Sequence, residues 1–139
     1  MSNDTSQPLF EYHTTIKLHE VDGAGILFFA NYFKLAHDTL EGFLESRGME
    51  IGGLIAHAPY ILPVAHSEMD YKMSLKTGDK VTVQLRVEKI GDSSVTLGYR
   101  FLRMGTEPAA EGRIIHVAID RKNGKKIPLP QELMDILNI

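Results

Sequence analysis

The chain has 139 residues and a formal net charge of −3 at pH 7, with 43% hydrophobic and 24% charged residues. We interpret residues 1–139 as one globular domain that begins with a loose polar tail at 1–8. The charge argues against nucleic acid as a main partner, because phosphate binding needs clustered Lys and Arg. The chain has no cysteine, which excludes disulfides, thiolate metal sites and a cysteine nucleophile and is typical of a cytoplasmic protein. No stretch approaches the roughly 20 apolar residues of a membrane helix, so we expect no membrane partner.

The first half of the chain predicts a strand followed by a long helix. Residues 10–18 are rich in β-branched and aromatic side chains, which favour a strand. Over residues 30–47 apolar side chains recur at helical spacing with charged ones opposite. This pattern predicts an amphipathic helix of about five turns that ends at Gly48. Residues 50–60 contain two glycines and little periodicity, and we expect a loop or a short helical turn there.

The second half predicts an antiparallel sheet. Alternating apolar residues indicate strands over 61–75 (entered through Pro63), 81–87, 95–101 and 112–120, separated by turns. Asn123-Gly124 predicts a type I′ hairpin, and Pro130 is expected to open a short helix that ends near Leu137. The fold class is therefore α+β, with the long helix on one face of a curved sheet. Because such a sheet leaves an edge strand, we expect a dimer or larger assembly.

One stretch, HEVDGAGILFFANY at residues 19–32, combines a lone acid with the start of the long helix. Asp22 lies in a turn that Gly23 and Gly25 make adaptable. The first N–H groups of a helix lack internal partners and carry partial positive charge, so they can hold a developing oxyanion. A carboxylate facing them suits hydrolysis of an activated ester, as a nucleophile or as the base that deprotonates water. The residues alone favour the plainer alternative that Asp22 only caps its turn.

A longer stretch of sequence favours the catalytic interpretation of Asp22. The stretch HEVDGAGILFFANYFKLAHDTLEGFLESRG resembles the signature of hot-dog fold acyl-CoA thioesterases of the 4-hydroxybenzoyl-CoA thioesterase type. In that signature an acid, two residues, a glycine, an apolar-aromatic run and Asn-Tyr open the central helix. A second block, ILPVAHSEMDYKMSLKTGDKVTVQLRVEKIG, matches through its Pro-Val start and its Gly-Asp turn. His37-Asp38 and the Pro-Val-Ala-His segment look especially like the 1,4-dihydroxy-2-naphthoyl-CoA thioesterases of the family.

The resemblance implies a curved antiparallel sheet wrapped around one long central helix, in a homodimer that often forms a homotetramer. It implies that Asp22 is the catalytic carboxylate and that the backbone N–H of Phe29 polarises the thioester carbonyl. The substrate-binding residues it implies are Gly25, Ile26, Leu27, Tyr32, Pro63, Val64 and His66. The last three would face the acyl group from the neighbouring chain. Coenzyme A, or the phosphopantetheine arm of acyl carrier protein, is then part of the substrate, and neither a cofactor nor a metal is expected.

Two other functions stay open. A hot-dog hydratase or dehydratase uses a catalytic histidine with a carboxylate, but the Asp-x-Asn-Pro-x-His pattern of hydratases is absent. A non-catalytic module that binds acyl thioesters would dispense with the acid, so Asp22 counts against it. We interpret His37, on the apolar side of the helix, as a core or pocket-edge histidine.

The acyl group and the site for the CoA phosphates are less defined. The expected acyl pocket is aliphatic and accepts an aromatic ring or an alkyl chain; its wall is Ile26, Leu27, Ile61, Leu62 and Val64. Several cations are candidates for the CoA phosphates, and the sequence does not choose among them. They are Lys72, Lys76, Arg100, Arg103, Arg113, Arg121, Lys122, Lys125 and Lys126.

Overall fold

A five-stranded antiparallel sheet forms the frame of the protein. The computed structural model describes residues 7–138, so the tail predicted at 1–8 falls almost wholly outside the described residues. The strands lie in the order β1-β4-β5-β6-β3, and a second small sheet pairs β2 with β7. The strands are β1 (Phe10–Thr15), β2 (Tyr60–Ile61), β3 (Val64–Tyr71), β4 (Lys80–Ile90), β5 (Ser94–Arg103), β6 (Glu107–Val117) and β7 (Ile119–Asp120). The helices are α1 (Asn31–Ser46), α2 (Ile51–His57) and α3 (Gln131–Ile136).

The long helix α1 packs its apolar stripe onto the sheet. Leu35 and Phe43 are fully buried, and the ring of Phe43 meets Phe10 of β1 edge-on at 6.0 Å between centroids. A Cβ on Gly42 would lie 3.3 Å from the Phe10 ring, so this position allows the helix to approach β1 closely. The helix ends as predicted at Gly48, whose φ of +79° suits glycine. None of the helices in the described part of the chain is long and apolar enough to cross a membrane.

The predicted first and third elements differ from the structure at their ends. The strand predicted over 10–18 stops at Thr15, because the chain turns into a short 3-10 helix at Leu18–Glu20. The strand predicted over 61–75 is divided at Pro63, which has no N–H to continue a strand ladder. The segment before it joins β7 in the small sheet, and β3 ends at Tyr71.

Of the two alternatives predicted for residues 50–60, the structure shows the helical one: residues 51–57 form two helical turns, because Ile51 and Leu54 pack against the core in spite of the two glycines. Two local predictions are corrected in the second half. The strand β6 begins at Glu107 instead of 112. The Asn123-Gly124 hairpin is not type I′, since only Gly124 has a positive φ. Its loop is closed by the N–H of Gly124 donating to the carbonyl of Asp120 at 2.9 Å.

The strand β3 forms one edge of the main sheet. It pairs with β6 on one side, and within residues 7–138 no strand covers its other side. Seven of its eight residues are exposed, including Val64 and Tyr71. An open edge of this length is a template for pairing with another strand.

Candidate active site

Asp22 occupies a tight turn that fixes one of its two carboxylate oxygens. The turn is closed by the N–H of Gly25 donating to the carbonyl of Asp22 at 2.9 Å, with Gly25 at φ +80°. Oδ1 of Asp22 accepts the N–H groups of Ala24 at 2.8 Å and Ile26 at 3.4 Å. Across the described residues no donor contacts Oδ2, and the side chain is exposed. The carboxylate therefore caps its turn with one oxygen and presents the other to solvent.

The start of α1 leaves a backbone donor without a partner. The N–H of Phe28 donates to the carbonyl of Glu20 at 3.0 Å, and the N–H of Asn31 donates to the carbonyl of Phe28 at 2.8 Å. Between them, the N–H of Phe29 finds no acceptor within residues 7–138. The residue Phe29 is 61% exposed. This N–H, at the positive end of the helix dipole, is available to an oxygen that gains negative charge.

A cleft of about 410 Å³ brings these two groups together. Five of the residues that the resemblance implied line this cleft together, and Gly25 lies in the turn beside them. The five are Asp22, Ile26, Leu27, Phe29 and Tyr32. The other side of the cleft is formed by the segment from Tyr71 to Ser74. Leu27 is held there by its N–H, which donates to the carbonyl of Leu75 at 2.7 Å.

Two tyrosines form the floor and side of the cleft. Tyr32 is buried and meets Tyr71 edge-on at 4.9 Å and Phe101 at 5.3 Å between ring centroids. Burial, and secondarily the nearby Tyr71, raise the pKa of Tyr32, so its hydroxyl stays protonated near neutral pH. The hydroxyl of Tyr71 donates to the carbonyl of Phe29 at 3.5 Å. The aromatic contacts hold the cleft wall against the helix start.

Pro63, Val64 and His66 lie elsewhere in the same chain. Pro63 directly precedes β3, and Val64 and His66 lie at its start, whereas the cleft meets β3 at its last residue, Tyr71. Seven residues of extended chain separate the two ends by about 23 Å. His66 is exposed and donates to the carboxylate of Glu68 at 2.8 Å. A single chain therefore does not bring these three residues to Asp22.

A buried acid that the sequence pattern does not reveal fixes the loop carrying Asp22. Glu20 is only 1% exposed, and its carboxylate accepts the N–H of Lys17 at 2.8 Å and the ammonium of Lys34 at 3.0 Å. Its carbonyl accepts the side-chain amide of Asn31 at 2.7 Å as well as the N–H of Phe28. Burial by itself raises the pKa of Glu20, but the bonds from Lys17 and Lys34 outweigh it and leave the pKa below its ordinary value. No sequence spacing signals this cluster, because Glu20 and Lys34 are 14 residues apart.

The structure divides the predicted cations into different regions. Lys72 lines the cleft. Beside it, the backbone of Lys76 forms an isolated antiparallel β-bridge with Ile26. Arg113 pairs with Glu68 and Glu88 at 3.1 Å. Others are also engaged: Arg100 pairs with Glu111, Arg103 with Asp79 and Glu107, and Arg121 donates to the carbonyls of Ile55 and Ala58. Among the described residues, no group of three or more His, Asp or Glu could hold a metal ion.

The predicted acyl-pocket wall is divided between the cleft and a second cavity. Ile26 and Leu27 line the cleft, whereas Ile61 and Leu62 line a cavity of about 400 Å³ between α1, α2 and the sheet. Val64 lines neither. His37, predicted as a core or pocket-edge histidine, is exposed at the edge of this second cavity.

Comparison with known proteins identifies the family. The family described as the thioesterase-like superfamily matches residues 16–137. This chain belongs to the thioesterase-like superfamily. The predicted resemblance to the hot-dog thioesterases is thereby confirmed, and so is the α+β hot-dog fold.

Relatives of this thioesterase-like protein carry related names. It is 31% identical over 126 residues to a 1,4-dihydroxy-2-naphthoyl-CoA hydrolase of Prochlorococcus marinus, covering 86% of this chain and 81% of the relative. The crystal structure of a 1,4-dihydroxy-2-naphthoyl-CoA thioesterase from Synechocystis superimposes with a TM-score of 0.87 at 25% identity, covering 93% and 95% of the two chains. A gentisyl-coenzyme A thioesterase gives a TM-score of 0.79 at 26% identity, covering 88% and 98%. The predicted class of activity, hydrolysis of a CoA thioester, is confirmed by these relatives.

Proposed function

We propose that this chain hydrolyses the CoA thioester of a hydroxylated aromatic acid, with 1,4-dihydroxy-2-naphthoyl-CoA as the leading candidate. One observation carries the proposal: an exposed carboxylate, Asp22, and an unpaired N–H, that of Phe29, line the same cleft at the start of a helix. The substrate class is supported by relatives named for 1,4-dihydroxy-2-naphthoyl-CoA and gentisyl-CoA, which are both thioesters of dihydroxylated aromatic acids.

The proposed chemistry begins at the thioester carbonyl. Its oxygen accepts a hydrogen bond from the N–H of Phe29, which stabilises the negative charge that develops there. Oδ2 of Asp22 then attacks the carbonyl carbon, the C–S bond breaks, CoA leaves as the thiolate, and water hydrolyses the resulting anhydride. Alternatively, Asp22 takes a proton from a water that attacks the same carbon, and the acid and CoA form without an anhydride intermediate. Both routes give one carboxylic acid and one thiol for each water consumed.

Rapid-quench kinetics separates these two routes. If Asp22 is the nucleophile and the anhydride accumulates, a burst of CoA thiol precedes the free acid in the first turnover. If Asp22 is the general base, thiol and acid appear together at the same rate.

The position of β3 supports a site shared between two copies. The edge of β3 is open, and a two-fold pairing of it with a second copy would run antiparallel. The start of one β3 would then lie beside the end of the other, bringing Val64 and His66 of one copy to Phe29 and Tyr71 of its neighbour. This arrangement accounts for the separation of these residues within one chain. We propose a homodimer on this basis; a homotetramer needs a further contact and stays a prediction.

Lys72 supports coenzyme A as the carrier of the acyl group. It lines the cleft and pairs with no acid among the described residues, so it is available to a phosphate of CoA. Acyl carrier protein shares the phosphopantetheine arm and remains the alternative carrier. The absence of cysteine supports a cytoplasmic location.

Thiol release from a panel of acyl-CoA thioesters tests the proposed function. The panel contains hydroxynaphthoyl, naphthoyl, hydroxybenzoyl, short aliphatic and long aliphatic CoA thioesters. Asp22→Asn keeps the shape of the side chain and removes its charge, and we expect a loss of roughly a hundredfold or more in kcat. Asp92→Asn, at an exposed turn acid between β4 and β5, is the matched control and should retain full activity.

Two outcomes would contradict the proposal. Equal rates for wild type and Asp22→Asn would leave Asp22 as a turn residue only. A wild type that binds the thioesters without hydrolysing them would favour the non-catalytic binding module. The hydratase alternative has less support, because the Asp-x-Asn-Pro-x-His pattern of hydratases is absent. The residues of one chain that line the cleft also include no histidine to act as its base.

A further inference from the structure

The second cavity has the composition of a pocket for an apolar group. Its volume is about 400 Å³, within the range of small-molecule sites. Aliphatic side chains from the helices and the sheet form most of its wall. They include Leu40, Leu44, Leu54, Val95, Leu97 and Leu133.

One wall residue presents a buried polar atom that no protein group satisfies. His116 on β6 is 7% exposed, and its Nδ1 lies 2.9 Å from the carbonyl oxygen of Leu62. Its other ring nitrogen, Nε2, is buried and has no hydrogen-bond partner within residues 7–138. Buried polar atoms are nearly always paired, so an unpaired one in the wall of a cavity points to a missing partner.

The geometry also determines what kind of partner is missing. A carbonyl oxygen only accepts, so Nδ1 of His116 carries the hydrogen that it donates to Leu62. Burial lowers the pKa of His116, outweighing that hydrogen bond, and the ring is therefore neutral at pH 7. In the neutral ring with hydrogen on Nδ1, Nε2 is an acceptor. The missing partner must donate a hydrogen bond, as a hydroxyl group does.

The other polar groups of the cavity are engaged or exposed. The hydroxyl of Tyr60 donates to the carboxylate of Glu132, and Arg121 is held by backbone carbonyls at the end of α2. His37 and Glu41 are exposed at the edge. Among the described residues that line this cavity, His116 therefore has a buried acceptor, Nε2, that makes no hydrogen bond.

The position of the cavity connects it to the proposed reaction. Ile61 and Leu62 line it and directly precede Pro63 and β3. In the proposed pairing of two β3 edges, the start of β3 in one copy lies beside the Phe29 cleft of the other. A thioester held at that cleft can therefore place its acyl group toward the cavity of the second copy.

We propose that this cavity is the acyl pocket and that a hydroxyl group on the aromatic acyl ring donates a hydrogen bond to Nε2 of His116. The proposal rests on the proposed function and makes His116 a specificity-determining residue for hydroxylated over plain aryl thioesters. The aliphatic wall packs against the aryl ring, and His116 accepts a hydrogen bond from the hydroxyl group on that ring.

A matched pair of substrates tests the role of His116. We compare kcat/KM for 4-hydroxy-2-naphthoyl-CoA and 2-naphthoyl-CoA, which differ by one hydroxyl group. Wild type should prefer the hydroxylated thioester by roughly tenfold or more. His116→Phe keeps a flat ring without an acceptor and should bring the ratio to about one, while 2-naphthoyl-CoA is hydrolysed within a few-fold of the wild-type rate.

Two further variants distinguish recognition from a structural effect. His116→Gln retains an acceptor and should keep part of the preference. His57→Phe, on the exposed end of α2 outside the cavity lining, should leave the ratio unchanged. An undiminished preference in His116→Phe would overturn the proposal.

Binding of the free acids separates failure of this proposal from failure of the proposed function. If wild type hydrolyses neither thioester, the proposed function fails, and calorimetry with 4-hydroxy-2-naphthoate and 2-naphthoate still tests the pocket. The hydroxylated acid should bind about tenfold more tightly, and its binding should shift the ¹⁵N resonance of Nε2 of His116 in the wild-type protein. Equal affinities with an unchanged Nε2 resonance would overturn the proposal, and this measurement does not depend on any variant folding.

Discussion

Asp22 serves two purposes with its two oxygens. Oδ1 accepts two backbone N–H groups of its own turn, which holds the side chain in one orientation. Oδ2 has no protein donor among the described residues, and Asp22 lines the cleft. The turn-capping and the catalytic interpretations of this acid are therefore compatible. A carboxylate that is already fixed loses less freedom when a substrate binds, which favours catalysis.

Removing the backbone donor at residue 29 gives a prediction at the scale of one N–H group. Phe29→Pro deletes the N–H, and Phe29→Ala keeps it while deleting the ring. If this N–H holds the oxyanion, Phe29→Pro should lower kcat by about a hundredfold to a thousandfold, as for other oxyanion donors. Phe29→Ala should change kcat by much less. Steady-state thiol release measures both, and equal losses in the two variants would assign the effect to the ring instead.

The most predictable part of the site was the group of residues that lie close together along the chain. Asp22, Gly25 and Phe29 lie within eight positions of one another, so one turn brings them together. Glu20 and Lys34 could not be predicted, because their contact depends on how the 3-10 helix lies against α1. His116 could not be predicted either. Its free acceptor becomes visible only once the carbonyl of Leu62 is placed beside Nδ1.

The element that carries Asp22 is a short loop attached to α1 through Glu20. The carbonyl of Glu20 accepts two bonds from the helix start, and its carboxylate accepts two bonds from the two lysines. This buried acid is thus the anchor between the 3-10 helix and α1. Its contacts determine where the Asp22 turn lies relative to the N–H of Phe29.

The hydrogen bonds of buried Glu20 predict how the stability of the fold depends on pH. The pKa of Glu20 is lowered in the folded chain from an ordinary value of 4.5. Glu20 therefore contributes its full stability above the unfolded pKa and loses it as the pH falls through the lower folded pKa. We expect the free energy of unfolding to fall as the pH drops below about 5 and through the lowered pKa of folded Glu20, and the fall to be smaller in Glu20→Gln. Urea unfolding across this range measures it, with the exposed Glu45→Gln as control; identical pH slopes in wild type and Glu20→Gln would contradict the anchor.

Elements were predictable where periodicity was strong and uninterrupted. The 3.6-residue repeat of α1 and the alternation in β4 and β5 identified these elements almost to their ends. The prediction was wrong where one residue divides a segment, as Pro63 does between β2 and β3. The prediction left a loop and a short helical turn as alternatives where tertiary packing overrides weak propensity, as in the glycine-containing helix α2.

We propose that a single chain holds only part of each active site. The Asp22 cleft lies at one end of β3, and the apolar cavity with His116 precedes the other end. In the proposed reaction the cleft would supply the carboxylate and the oxyanion donor, and the cavity would hold the aryl ring. Antiparallel pairing of the β3 edges would join the halves of two copies.

Mixing two inactive variants is the measurement that tests this account most directly. One variant is Asp22→Asn, and the other is Ile55→Trp, which places a large ring at the exposed rim of the cavity. Each alone should be nearly inactive on 4-hydroxy-2-naphthoyl-CoA. After equal mixing and exchange of subunits, half of the dimers are mixed and each has one intact site, so about a quarter of the wild-type activity should return.

The controls make either result decisive. Native mass spectrometry measures the exchange of subunits, because the Asp22→Asn and Ile55→Trp chains differ in mass. The mass of the assembly should be twice the 15.5 kDa of one chain or a multiple of that. Recovery of activity would show that Asp22 of one copy acts on an acyl group held by the other. No recovery, with exchange demonstrated, would contradict the shared site and confine the acid and its acyl pocket to the same chain.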